Sequence, residues 1–138
     1  MVTDEIELEA EPVLLGADRG GRETASSEHT FTFNRQGVRS LFRPRALILD
    51  ADSGGLDKIE VLNIMVGCSQ QLVNSNPVSA PLFAEGSDIE VTYETAAPEI
   101  DLSVRVRNRD KRSGVRVRAK WVGYEVKPDV YDCGPIQG

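Results

Sequence analysis

Histidine occurs once in this chain and cysteine twice, and aromatic residues make up only 6% of its 138 positions. One histidine, His29, cannot build a multi-histidine metal centre, and no nucleophile motif flanks it to suggest a Ser–His or Cys–His pair. It reads as an ordinary polar residue opening a strand. Cys68 and Cys133 could close one disulfide or stay reduced, and their positions leave both options open. A zinc site would need more ligands than these two. Cys68 follows Val66-Gly67 beside an apolar strand, so it reads as a small core residue. Low aromatic content argues against a carbohydrate platform, and Trp121 and Tyr124 read better as packing residues.

Long apolar runs are also missing. No stretch of about 18 apolar residues occurs, so no membrane-spanning helix is expected. The first fifteen residues are acidic and lack an apolar centre, so no signal peptide is expected. No glycine-rich phosphate loop opens a helix, no amphipathic helical period emerges, and no internal repeat is visible. Catalytic groups at a recognisable spacing are absent too. The expectation is a protein that is not an enzyme and carries no cofactor.

What is present is alternation. The length suits one domain, and 40% apolar residues can form a core. A net charge of −6 and a pI near 4.8 oppose a protein that wraps nucleic acid. Residues 4–11 alternate acids with Ile6, Leu8 and Ala10, which predicts a strand with glutamates on one face. A glycine-rich connector follows, so residues 1–28 read as an extended N-terminal arm. Residues 29–126 form the body, and 127–138 a tail with two prolines. Within the body, strands are predicted at 30–33, at 38–42 (stopped by Pro44), and at 45–49 as an inner strand. Others are predicted at 58–66 (with a bulge where parity switches between Val61 and Leu62), 88–95, 100–109 and 115–126. Gly123 breaks parity and suggests a second bulge. A loop spans 72 to 82. Together these predict an all-β fold: an antiparallel β-sandwich or jelly-roll-like domain with an arm and a tail.

The segment 101–120 carries the most information. Read as a hairpin, it places Arg105, Arg107 and Arg109 beside Arg116, Arg118 and Lys120 on one outer sheet face, with Lys111 and Arg112 in the turn. Like charges across strands repel, so such a patch invites counter-charge. Three readings stay open. The patch could receive carboxylates of the same chain or of a neighbour, above all from the arm. It could meet an external polyanion. It could be a solvated face whose arginine stems cover apolar surface. Arm contacts would come from Glu5, Glu7 and Glu9 by charge, and from Ile6, Leu8, Val13, Leu14 and Leu15 by burial. Surface ion pairs return only about 0–1 kcal/mol each, against about 1–2 kcal/mol per ordered residue, so burial or strand addition must supply most of the arm's seat.

Asp50, Asp52 and Asp57, with Glu60, cluster around Gly54-Gly55. Carboxylates on a tight loop are calcium candidates, but the spacing fails the EF-hand pattern and a polar turn is the better reading.

The stretches KIEVLNIMVGCSQ (58–70), VSAPLFAEGSDIEVTYETA (78–96) and LSVRVRN…VRVRAKWVG (102–123) resemble small β-sandwich proteins of bacteriophage virions. The resemblance covers a little over half of the chain. It implies a capsid-associated or decoration protein located in the virion and assembled in the host cytoplasm. Its partners would be protein: further copies of itself, as a trimer or larger ring, or a capsid shell protein. The alternative is a β-sandwich module that recognises a glycan or another polyanion through the basic face or the 73–88 loop.

Overall fold

Two antiparallel sheets pack face to face in this computed structural model, which describes residues 2–18, 27–72, 77–87 and 91–127. The strands are β1 (Val2–Glu9), β2 (Val13–Leu15), β3 (Glu28–Phe33), β4 (Leu41–Ala51), β5 (Ile59–Val66), β6 (Ser69–Gln70), β7 (Val78–Ser79), β8 (Leu102–Asn108) and β9 (Val115–Lys127). Short 3-10 helices occupy Asp52–Lys58 and Ala80–Phe83. The all-β sandwich expected from the alternation is therefore what forms. Residues 128–138, with Cys133, lie outside the described residues, as do 19–26 of the connector and Asp88 to Glu90.

The first sheet is built on β9. β4 pairs with β9 from Val117 to Val126 along one side. β1 and β2 must therefore share the other side, where they pair with Lys120–Lys127 and Val115–Val117. The second sheet runs β3-β8-β5, with the short β6 and β7 against β5. Alternation along each strand delivers apolar residues to the space between sheets. Trp121, Phe31, Phe42, Leu49, Ile64, Val104 and Val117 are fully buried there. Tyr93 and Phe33 meet Trp121 edge-on, at ring-centroid distances of 4.8 and 6.4 Å, the geometry favoured by the ring quadrupoles. Burial raises the Tyr93 phenol above its ordinary range.

Several local expectations change. Of the strand expected at 38–42 only Leu41 and Phe42 are strand; they run on into the one expected at 45–49 as β4, and Pro44 lies inside it instead of ending it. Its register shifts between Pro44 and Ala46, so Arg45 bulges out opposite Gly123. The irregularity attributed to Gly123 thus sits on its partner. Among the described residues β4 hydrogen-bonds one full strand, β9, and its other side pairs only where Phe42 meets Ala96. It is an edge strand, where a proline without an N–H is tolerated. Residues 91–95 of the strand expected at 88–95 are not extended pairing partners; Tyr93 still points inward. The bulge in β5 is found between Val61 and Asn63. Cys68 is exposed, because Gly67 and Cys68 form the two-residue turn joining β5 to β6, with Gly67 at φ +59°.

One buried cation ties the irregular segments together. Arg35, 3% exposed, donates from Nη1 to the carbonyls of Ala97 (2.8 Å) and Ile100 (3.3 Å), and from Nη2 to that of Ser40 (2.5 Å). Its own N–H donates to Asp101 Oδ1 at 2.6 Å.

Candidate interaction surfaces

The decisive geometry is that β8 and β9 do not pair. β8 lies between β3 and β5 in one sheet, and β9 lies between β1/β2 and β4 in the other. The hairpin expected at 101–120 is instead a crossing from sheet to sheet. Residues 109–114 can span about 20 Å when extended, ample for sheets about 10 Å apart. Arg105, Arg107 and Arg109 therefore belong to one side of the sandwich, and Arg116, Arg118 and Lys120 to the opposite side. The single six-cation patch does not exist.

Each half finds its counter-charge inside the chain. On the β8 side, Arg105 meets Glu28 at 2.6 Å, while Arg107 (3.4 Å) and Arg109 (2.6 Å) share Glu60. On the β9 side, Arg118 reaches Asp50 (2.8 Å) and Asp52 (2.7 Å), Arg116 lies 3.9 Å from Asp52, and Lys120 lies 3.4 Å from Glu7. Cross-strand register explains the matches. Glu60 stands directly opposite Arg107 and Asp50 opposite Arg118, whereas Glu28, opposite Arg107, reaches diagonally to Arg105, and Glu7, opposite Val122, reaches diagonally to Lys120. Opposite charges at such positions are favourable where like charges would repel. Hydrogen bonding to Arg118 holds the Asp50 carboxyl below its ordinary value, and the same contacts raise Arg118.

Two of the three calcium candidates already face a cation. Asp50 and Asp52 direct their oxygens at Arg118, whereas Asp57 lines a cleft with Lys58 and the 109–112 turn. Among the described residues no three His, Cys, Asp or Glu side chains converge as a metal site would need.

The N-terminal segment lies on its own body. Ile6, Leu8, Ala10 and Val13 pack on the core, and Leu15 is 1% exposed. Leu14, expected as an anchor, projects outward opposite Arg116 and is 61% exposed; within β2 its parity is opposite to that of Val13 and Leu15. Glu5 lies 3.6 Å from Arg45 of β4, bridging over β9. The acidic face of β1 and the basic face of β9 therefore form one interleaved surface. An open cleft of about 500 Å³ crosses this region, lined by Glu9, Ile48, Asp50, Leu56, Arg118 and Lys120 among others.

A residue that sequence reasoning passed over is Asn108. It is fully buried; its Nδ2 donates to Gly16 O (3.1 Å) and Ser113 O (3.0 Å), and its Oδ1 accepts from Asp110 N (2.9 Å). The signal was there: an asparagine at an inward strand position next to a turn needs partners to be buried. A scan against protein-family models and a search of curated proteins return no match for the chain.

Proposed function

We propose that this chain is a non-enzymatic structural subunit of a larger assembly, a capsid-associated or decoration protein of a phage virion, stabilised by arm exchange and sheet contacts between copies. The virion setting rests on the resemblance of segments 58–70, 78–96 and 102–123. The assembly reading rests on one observation about the first fifteen residues. β1 and β2 supply an entire sheet edge through pairing with a single strand, β9, and join the rest of the chain only through residues 16–27.

A terminal segment docked in this way makes contacts that a second copy's β9 offers equally. Exchange then changes which chain supplies the strand without changing any contact. Within one chain the segment closes on its own body, so burial alone does not compel exchange. Assembly is then favoured by whatever new contacts the joined bodies make, which must exceed the freedom lost on association but come at no cost in lost pairing.

The test is a cysteine pair at facing positions. Glu5→Cys with Tyr124→Cys, in a background where Cys68 and Cys133 are serine, reports which β9 the arm occupies. Exchange yields covalent dimers or larger rings on oxidation, matching the oligomer seen by light scattering. Intramolecular cross-links alone, with a monomer at every concentration, would sink the proposal.

A further inference from the structure

With the strand cations satisfied in place, positive charge remains at one end of the sandwich. Lys58 closes the 3-10 helix, and Lys111 and Arg112 project from the turn after β8. With Arg109 they surround an open cleft of about 510 Å³, whose remaining lining residues are Asp57 and Asp110. Arg109 is already paired with Glu60, so three cations, Lys58, Lys111 and Arg112, face two carboxylates, which leaves this end positive in a chain whose net charge is −6.

Of the acids nearby, Glu60 and one oxygen of Asp110 are engaged, although the Asp110 carboxylate also attracts Lys58 and Arg112. Asp110 Oδ1 accepts the backbone N–H groups of Arg112 (2.8 Å) and Ser113 (3.2 Å), so this oxygen folds into its own turn. Glu60 is taken by Arg107 and Arg109. No ion pair within 4 Å joins Lys58, Lys111 or Arg112 to a carboxylate among the described residues.

The turn is also built in advance. Asn108 fixes it from beneath through Ser113 and Asp110. Arg109 N–H donates to Lys58 O at 2.8 Å, locking the helix end to the turn, and Asp18 N–H donates to Asp110 O at 2.8 Å. Cations held on a fixed backbone lose less freedom on binding than cations on a loose loop.

We infer that the cleft bounded by Lys58, Lys111 and Arg112 binds a multivalent oxyanion of the phosphate- or sulfate-ester class. Arg112 supplies a planar fork for two oxygens, and the lysines supply point charges on either side. No aromatic side chain lines the cleft, so the site reads the anionic group and not a base stacked beside it. This site is separate from the strand faces, and its failure would leave the arm-exchange reading untouched.

The probe is a titration of the full chain with pyrophosphate, followed by amide NMR shifts at constant ionic strength. Saturable shifts confined to residues 57–58 and 108–113 are expected. Glucose 6-phosphate and glucose 6-sulfate then distinguish the two ester sources. Removing one charge-assisted contact weakens binding by about tenfold, so Lys111→Ser alone should do so, and Lys58→Ser with Lys111→Ser and Arg112→Ser should abolish saturation. Lys111 is exposed in its turn, so its single variant remains folded. Arg118→Ser, which removes a paired strand cation, should leave the affinity unchanged. Shifts that never saturate, that scatter over both sheets, or that survive in the triple variant would overturn the assignment. So would an equal loss in Arg118→Ser, because that would be a response to overall charge alone.

Discussion

The carbonyl oxygen of Arg43 stands against the position where a side chain on residue 123 would begin. A Cβ on Gly123 would clash with that oxygen and lie 2.9 Å from Phe42 Cζ and 3.0 Å from Pro44 Cα. The bulge at Arg45 brings the β4 backbone this close to β9, and only glycine leaves room for it. Gly123→Ala should destabilise the fold by about 2 kcal/mol or more, since the clash is with backbone in a packed sheet. Urea midpoints measure this. Gly37→Ala is the contrast: its φ is +82° but nothing lies within 4 Å, so it should cost only about 1 kcal/mol from backbone strain.

Removing the Arg35 guanidinium strips the donors from the carbonyls of Ser40, Ala97 and Ile100. Arg35→Met should cost about 3 kcal/mol, because the buried Ser40 carbonyl then lacks a partner and Ile100 O loses its donor, while Ala97 O keeps only the Ile100 N–H. Arg35→Lys should recover little, as one ammonium cannot replace a planar fork that reaches both segments. Denaturant unfolding gives the energy. Amide exchange should accelerate first at Ala96 to Ile100, the segment the fork holds.

Apolar burial, not charge, should seat the N-terminal segment. Leu15→Ala, at a site 1% exposed, should cost about 2–5 kcal/mol. The Glu7–Lys120 pair is exposed, and a double-mutant cycle on it should return less than about 1 kcal/mol. A large coupling in the cycle, or a negligible Leu15→Ala effect, would reverse this ranking.

Acid should loosen the β4–β9 end. The Asp50 carboxyl is held low chiefly by its hydrogen bond to Arg118, and Asp110 by the backbone N–H groups of Arg112 and Ser113. A carboxyl whose folded value lies below its unfolded one adds stability above the unfolded value, here near 3.8. That contribution is lost as pH falls from there through the lower folded value. Asp50→Asn should therefore lower the thermal midpoint at pH 7 slightly and flatten its fall below pH 4. An unchanged acid limb would show that Asp50 has the same affinity for protons folded and unfolded.

Much of the fold was legible in the residues. Ile6 and Leu8 against Glu5 and Glu7, or Val104 and Val106 against Arg105 and Arg107, specify which side of a strand faces the core. The parity switch at Leu62 located a real bulge, and Trp121 shared the inward parity of Val115 and Val117. Errors arose where local pattern was asked for a partner. Residues 91–95 have strand composition, yet among the described residues of this stretch it is Ala96, just beyond them, that bridges to β4. Leu14 shares the apolar character of its neighbours, yet strand parity turns it outward, and Cys68 falls on a turn that Gly67 makes.

The sequence by itself determined that this protein is an all-β sandwich and which residues line its interior, because side-chain direction in a strand alternates with a fixed period of two. Only the tertiary structure decided that β8 and β9 separate into different sheets, that their cations are matched by Glu28, Glu60, Asp50, Asp52 and Glu7, and that Lys58 joins Lys111 and Arg112 at one end. The reason is physical. Backbone hydrogen-bond donors and acceptors are the same in every strand, so which strand pairs with which is settled by long-range packing and not by the local pattern.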